Sequence, residues 1–340
     1  MKKFNKTWLL LLSLGLVFAF CSTALAGAEF KAVKVQGLSL EEIQTKYAGV
    51  EAKPMPLPKL KRPDVAPQGP APHVGIPLKE FNEPALTPAD AQTNSASGGE
   101  LTPRLGPCPA SSYIHIFDTD YTAWPTKAVG KLLFTGIDGQ RYMCTGSVIN
   151  RNLVLTAGHC VMTSGFLHSA FEFSPGWYYG PTVFGTWSVN TVVYFSAWAN
   201  SEDYRYDVAL MVMNPSNGLY VSDVVGGYVG FSAGADPATI VWNEYGYPWN
   251  LADGQALSRV TSALGTYDIW QGFPSNPTLG VGSNMQGGSS GGSWLRHQAE
   301  YGWQANGLNS YGYTDCDFTM FGPYFGSDIW DMYQYAKSIQ

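Results

Sequence analysis

The stretch Leu155-Thr156-Ala157-Gly158-His159-Cys160 ends a short apolar strand on a histidine beside a cysteine. Just upstream, Cys144-Thr145-Gly146-Ser147-Val148-Ile149 closes a second run of the same character. Working outward, Val129–Thr135, Arg141–Ile149, Leu153–Ala157, Thr191–Phe195, Val208–Met213, Thr239–Tyr245 and Trp303–Leu308 are all short, rich in β-branched or aromatic residues, and bounded by turn formers. One helical period stands out, over 328–338, where Ile329, Met332, Tyr333 and Ala336 share a face and Ser327 is placed as the cap. The expectation is an all-β body with a C-terminal α-helix, and residues 105–340 suit two packed barrels better than one sandwich. Composition agrees: charged residues are only 14%, with 38 Gly and 20 Tyr, which suits short strands and tight turns.

Two further segments carry chemistry. Tyr206-Asp207-Val208-Ala209-Leu210-Met211 sets a carboxylate at the head of an apolar strand, where burial is costly unless a partner hydrogen-bonds it. Asp203, the nearest rival, has polar surroundings. Gly287-Gly288-Ser289-Ser290-Gly291-Gly292-Ser293 taken alone reads as a flexible loop. His73, His115, His168 and His297 lack any such context and read as solvated or core imidazoles.

Taken together these segments resemble the trypsin/chymotrypsin-like serine peptidases, in the bacterial branch that includes the glutamyl endopeptidases. Cys-Thr-Gly-Ser-Val-Ile and Thr-Ala-Gly-His-Cys match that family almost letter for letter, and its Gly-x-Ser-Gly-Gly falls on Gly288 to Gly292. The chain order His, Asp, Ser is that of chymotrypsin-like enzymes. The resemblance implies two packed six-stranded antiparallel β-barrels, at about 110–220 and 221–326, with His159, Asp207 and Ser290 as catalytic residues in the cleft between them. Gly288 and Ser290 would supply the oxyanion hole. Gly307-Leu308-Asn309-Ser310-Tyr311-Gly312 resembles the segment that pairs with substrate as an added strand and walls the specificity pocket. Substrate contacts are therefore expected from Asn284, Asn309, Ser310, Tyr311 and Gly312. A Cys144–Cys160 disulfide, pinning His159 at its strand end, is expected on the same ground.

This sequence also departs from the family. Ser289 replaces the aspartate that trypsin-like zymogens pair with a freed N-terminus. Asn284 stands where trypsin-like enzymes carry a pocket-floor aspartate, and Asn309 where glutamyl endopeptidases carry a histidine. Neither strict basic nor strict glutamyl specificity is encoded. Asp315 and Asp317 could bias a pocket loop towards basic side chains or simply be solvated. Cys316 has no cysteine near the nucleophile loop, and Cys108 is its expected partner.

The N-terminus reads as a secretory signal over 1–26: Lys2, Lys3 and Lys6, an apolar run from Leu9 to Phe20, then Ala24-Leu25-Ala26. Cleavage there removes Cys21 and leaves four cysteines, which allow three pairings in an oxidising destination. Residues 27–104 form a Pro-rich prosegment or linker, with ten prolines between Pro54 and Pro88, and read as extended or disordered. This part holds 12 Lys+Arg against 9 Asp+Glu, whereas residues 105–340 hold 8 against 17. Such a contrast suggests a removable leader, hence a zymogen, with a permanent stalk as the alternative.

The function expected is a secreted (extracellular or periplasmic) serine endopeptidase acting on polypeptide substrates through an acyl-enzyme. A catalytically inert protease-like binding module, or an esterase using the same triad, is the alternative. No metal or cofactor is expected, since Cys-x-x-Cys and His-x-x-x-His spacings are missing. An acidic domain disfavours nucleic acid, no membrane association is expected after signal cleavage, and the enzyme is expected to be a monomer.

Overall fold

A computed structural model describes residues 28–61, 79–86, 114–118, 120–268 and 276–340. Residues 1–26, read as a signal, and Cys108 lie outside the described residues. In the first half, β1 (Val129–Thr135), β2 (Arg141–Asn150), β3 (Leu153–Thr156), β4 (Ser169–Pro175), β5 (Trp187–Phe195) and β6 (Ala209–Met213) pair antiparallel in the order β5-β4-β1-β2-β3-β6. Pairing of β5 with β6 then closes the ring, while β4 meets β5 only at Trp187 and Ser188 and leaves the Thr191–Phe195 edge of β5 open to a further strand. Leu132, Phe134, Val148, Leu155, Phe173, Val193 and Leu210 fill it, each with no exposed surface.

The second half runs β7 (Gly230–Ala233), β8 (Val241–Gly246), β9 (Leu257–Asp268), β10 (Thr278–Gly282), β11 (Ser293–Gln298), β12 (Gly302–Leu308), β13 (Tyr311–Tyr313) and β14 (Cys316–Pro323). They lie side by side as β13-β14-β10-β9-β8-β11-β12-β7. Trp242 and Trp294 anchor this half's core with Val260, Val281 and Met320. Strands β4, β7, β9, β10, β11 and β14 were not among those read from the sequence, and β13 entered only through the resemblance. In β9 the inward positions include Ser258 and Ser262, both fully buried, so the apolar alternation that betrays a strand is broken by small polar residues.

The C-terminal helix spans Ser327–Ser338 and buries Ile329, Met332, Tyr333 and Ala336, the face anticipated. Its cap is corrected: Ser327 is the first helical residue, and Gly326 is the N-cap without a side-chain bond.

A larger correction concerns the leader. Residues 28–61, part of the stretch read as prosegment or linker, are packed on the two sheets rather than loose. Phe30–Lys34 adds antiparallel to β5. Ser39 and Glu42 then form a reciprocal capping box on the helix Leu40–Lys46, a Ser-x-x-Glu signature masked by the polar, proline-rich neighbourhood. Lys53–Pro54 pairs with β2 and Lys59–Leu60 with β13, both in parallel.

Candidate active site

The first barrel delivers His159 and Asp207. β3 ends at Thr156 and the chain turns into a single 3-10 turn, Gly158–Cys160. Asp207 stands two residues before β6, which pairs with β3; two neighbouring strand ends therefore bring the carboxylate to the imidazole. Asp207 has no exposed surface. Its Oδ1 accepts the His159 backbone N–H at 2.7 Å, and its Oδ2 lies 2.8 Å from His159 Nδ1. A third partner, the Ser310 hydroxyl, donates to Oδ2. Three donors compensate the burial of one charge, which a lone carboxylate could not survive. Asp203, the rival, spends its side chain locally on Arg205.

Packing fixes the histidine from behind. Trp198 is buried with its ring 6.3 Å from that of His159, and any Cβ at Gly158 would meet Trp198 at 2.9 Å. Cys144 and Cys160 form a disulfide. The side chains of Cys144, His159 and Cys160 gather closely enough to suggest a metal site, yet both sulfurs are consumed in that bond and offer no thiolate. His168 sits apart, stacked on Phe134 and bonded to Thr163. Burial pushes its pKa down to about 4, leaving it a neutral structural imidazole.

The second sheet supplies the Gly/Ser loop that carries Ser290, between β10 and β11. Ser290 is fully buried and its carbonyl accepts the Thr145 N–H at 2.8 Å. Thr145 also donates its hydroxyl to Gly288 O at 2.9 Å, and that hydroxyl accepts the Tyr247 N–H at 3.0 Å. One β2 threonine thus grips both ends of the three-residue turn Gly288–Ser290. Trp249 N–H to Gly287 O and Asn250 to Asn284 O clamp the rest. Gly288 (φ +91°) and Gly291 (φ +79°) have left-handed backbones; a Cβ at Gly291 would stand 2.2 Å from Thr156 Oγ1 and 2.7 Å from Ala157 N. Only glycine lets the loop approach the histidine-bearing segment this closely. Among the described residues, neither His159 Nε2 nor Ser290 Oγ has a hydrogen-bond partner, and both atoms are buried. Ser289 bonds Gln286 O through its own hydroxyl, closing the loop locally.

The residues expected to meet substrate divide. The Gly312 N–H faces outward from β13 and donates to Pro58 O of the leader at 2.9 Å. Ser310 is directed to Asp207 rather than to a pocket. Tyr311 has no exposed surface and its hydroxyl bonds Thr278 and Asp268, so only its backbone is available to a ligand. Asn309 needs correction as a pocket residue: it is fully buried, its Oδ1 accepts from Trp294, and its Nδ2 donates to Tyr245 O and Ser289 O. These bonds commit the amide to the scaffold. Asn284 is half-buried, with an Oδ1 that finds no partner among the described residues. Asp315 and Asp317 are exposed. Cys316 is disulfide-bonded, and its partner, expected to be Cys108, lies outside the described residues. The sequence reading gave no role to Thr145, although it lies in the matched Cys-Thr-Gly-Ser-Val-Ile segment, and missed Trp198 and Asn250, which lie in no motif.

Known proteins give the same picture. Residues 122–324 match the Trypsin family model. The thermostable serine protease AL20 from an extremophilic microorganism is 32% identical, with TM-score 0.56, covering 63% of this chain and 98% of its own. The protease Anisep from Arthrobacter nicotinovorans is 32% identical with TM-score 0.57, covering 66% and 99%. A Glu endopeptidase, 19% identical with TM-score 0.54 over 69% of this chain and 99% of its own, shares the fold. The extracellular metalloprotease of Bacillus subtilis is 27% identical over 147 residues, 39% of this chain. This chain thus spans under half of that curated relative, 45% of its length. No helix among the described residues is long and apolar enough to cross a membrane. With a match that runs from the first barrel through the second, the chain belongs to the trypsin family of serine peptidases.

Proposed function

We propose that this chain is an exported serine endopeptidase that cleaves polypeptides through His159, Asp207 and Ser290. The observation that carries the reading is the buried Asp207–His159 pair, with His159 Nε2 and Ser290 Oγ both buried and unpartnered among the described residues. An unsatisfied buried imidazole nitrogen and hydroxyl are costly, and such costs concentrate where chemistry is done. In this reading His159 holds its proton on Nδ1, donated to Asp207, so that Nε2 is the free base. It takes the Ser290 proton as Oγ attacks a peptide carbonyl carbon. The oxygen of the tetrahedral intermediate is held by the Gly288 and Ser290 N–H groups, and Asp207 stabilises the imidazolium. His159 next returns the proton to the leaving amine, an acyl-enzyme forms, and water activated by His159 releases it.

Export is supported by the signal-like N-terminus and by the disulfide, which belongs in an oxidising compartment. Leader and body together read as a zymogen. A fluorophosphonate probe tests the catalytic assignment on exported protein. Labelling that disappears in Ser290→Ala supports it, and unlabelled wild type freed of its leader favours an inert binding module. Turnover of esters without peptides would point to an esterase.

A further inference from the structure

The leader segment Lys53-Pro54-Met55-Pro56-Leu57-Pro58-Lys59-Leu60 lies along the machinery just described. Met55 donates its N–H to Met143 O at 2.9 Å, and its carbonyl accepts the Gly288 N–H at 3.1 Å. That N–H is the one proposed to hold the oxyanion. Leu57 is buried in one cluster with Met285, three residues before Gly288. Farther on, Pro58 O and Leu60 O accept the N–H groups of Gly312 and Thr314 at 2.9 and 3.1 Å. The chain touches both walls of the nucleophile loop, and it lies so near Gly287 that a Cβ there would meet Met55 O at 3.0 Å.

Proline at alternate positions fits this place physically. In an extended chain, successive N–H groups point to opposite sides. Pro54, Pro56 and Pro58 therefore strip donors from one side only. On the β13 side the carbonyls of Pro58 and Leu60 accept, and Pro58 has no N–H to be left unpaired there. Fixed proline torsions also keep the peptide extended before it docks, which reduces the ordering cost.

Two features make it a poor substrate. It runs parallel to β2 and to β13, whereas antiparallel addition is the more stable pairing and would run the opposite way. The carbonyl on Gly288 also belongs to the Met55–Pro56 bond, whose leaving nitrogen lies in a proline ring.

We propose that Lys53–Leu60 is a peptide ligand of the cleft carried on the same chain. It binds backward across the nucleophile loop and holds the peptidase off until it is displaced. This rests on the peptidase reading above. Its test uses the full exported chain, with intact mass confirming that residues 53–60 remain attached. Initial rates of fluorescein-casein cleavage and fluorophosphonate labelling are compared for wild type, Leu57→Asp and Met55→Pro, which break different contacts. Leu57→Asp should raise the initial rate by about tenfold, the factor expected from losing one buried apolar side chain, and Met55→Pro by about fivefold, the factor for one lost hydrogen bond. The synthetic octapeptide Lys53–Leu60, added to Leu57→Asp, should inhibit and remain uncut, while a scrambled peptide should not inhibit. Equal rates in all three proteins with the leader attached would overturn the inference and leave the peptidase reading standing. So would an octapeptide that is cleaved or fails to inhibit. Protein that neither cleaves casein nor takes the probe, even after the leader is digested away, would sink the peptidase reading and this inference with it.

Discussion

Replacing Thr145 by valine keeps the shape of a fully buried side chain and removes one hydroxyl. That hydroxyl donates to Gly288 O and accepts from Tyr247 N–H, so the variant leaves a buried carbonyl and a buried N–H unpaired. At about 1–3 kcal/mol for each of the two stranded groups, the loss of stability should be about 2–6 kcal/mol. Catalysis should suffer separately. The hydroxyl holds the carbonyl of Gly288, the residue whose N–H is proposed to hold the oxyanion, and deleting such a donor outright costs about 10²–10³ in rate. Here the donor survives but is less well held, so kcat should fall by about 10- to 100-fold with KM little changed. Urea unfolding and steady-state kinetics on leader-free enzyme measure the two effects, and Thr145→Ser should restore both. A Thr145→Val enzyme that loses stability yet keeps kcat within about twofold, well short of the effect of a lost donor, would refute the reasoning and make the contact merely structural.

Other outcomes follow from the buried charges and the disulfide. Burial pushes the Glu244 carboxyl up to about 8, so it is protonated in the fold at neutral pH and its contribution is lost as pH rises from the unfolded value towards 8. Glu244→Gln should therefore gain on wild type through that window, by up to about 1.4 kcal/mol per pH unit in urea titrations; parallel stability curves would contradict this. Burial lowers Lys131, which lies over the Trp177 ring, to about 7. The unfolded chain binds more protons between that value and the ordinary lysine pKa, so wild type should gain stability relative to Lys131→Met as pH rises from neutral to 10. A difference independent of pH would rule this out. Replacing Cys144 and Cys160 by serine opens a short loop and should cost about 2–4 kcal/mol, read from denaturation midpoints.

What the sequence determined by itself was whatever is written in contiguous residues. Gly288 to Gly292 must be small because a tight left-handed turn passes against Ala157 and Thr156, and that requirement shows as an unbroken Gly/Ser run. His159 and Asp207 each stand at the end of an apolar strand, and a strand end is a local pattern. The helix at Ser327–Ser338 was equally legible from its period. Only the tertiary structure decided which way side chains on the pocket segment point: Asn309 into the scaffold, Ser310 onto Asp207. Asn309 and Ser310 are consecutive residues between β12 and β13, and which side each faces is set by distant partners. The leader shows this most plainly. Its prolines resemble disorder because they cannot satisfy two strand edges, but the Met55 carbonyl needs only the Gly288 N–H, far along the chain. A bond between residues so separated in sequence leaves no local trace, and only the folded chain brings its two ends together.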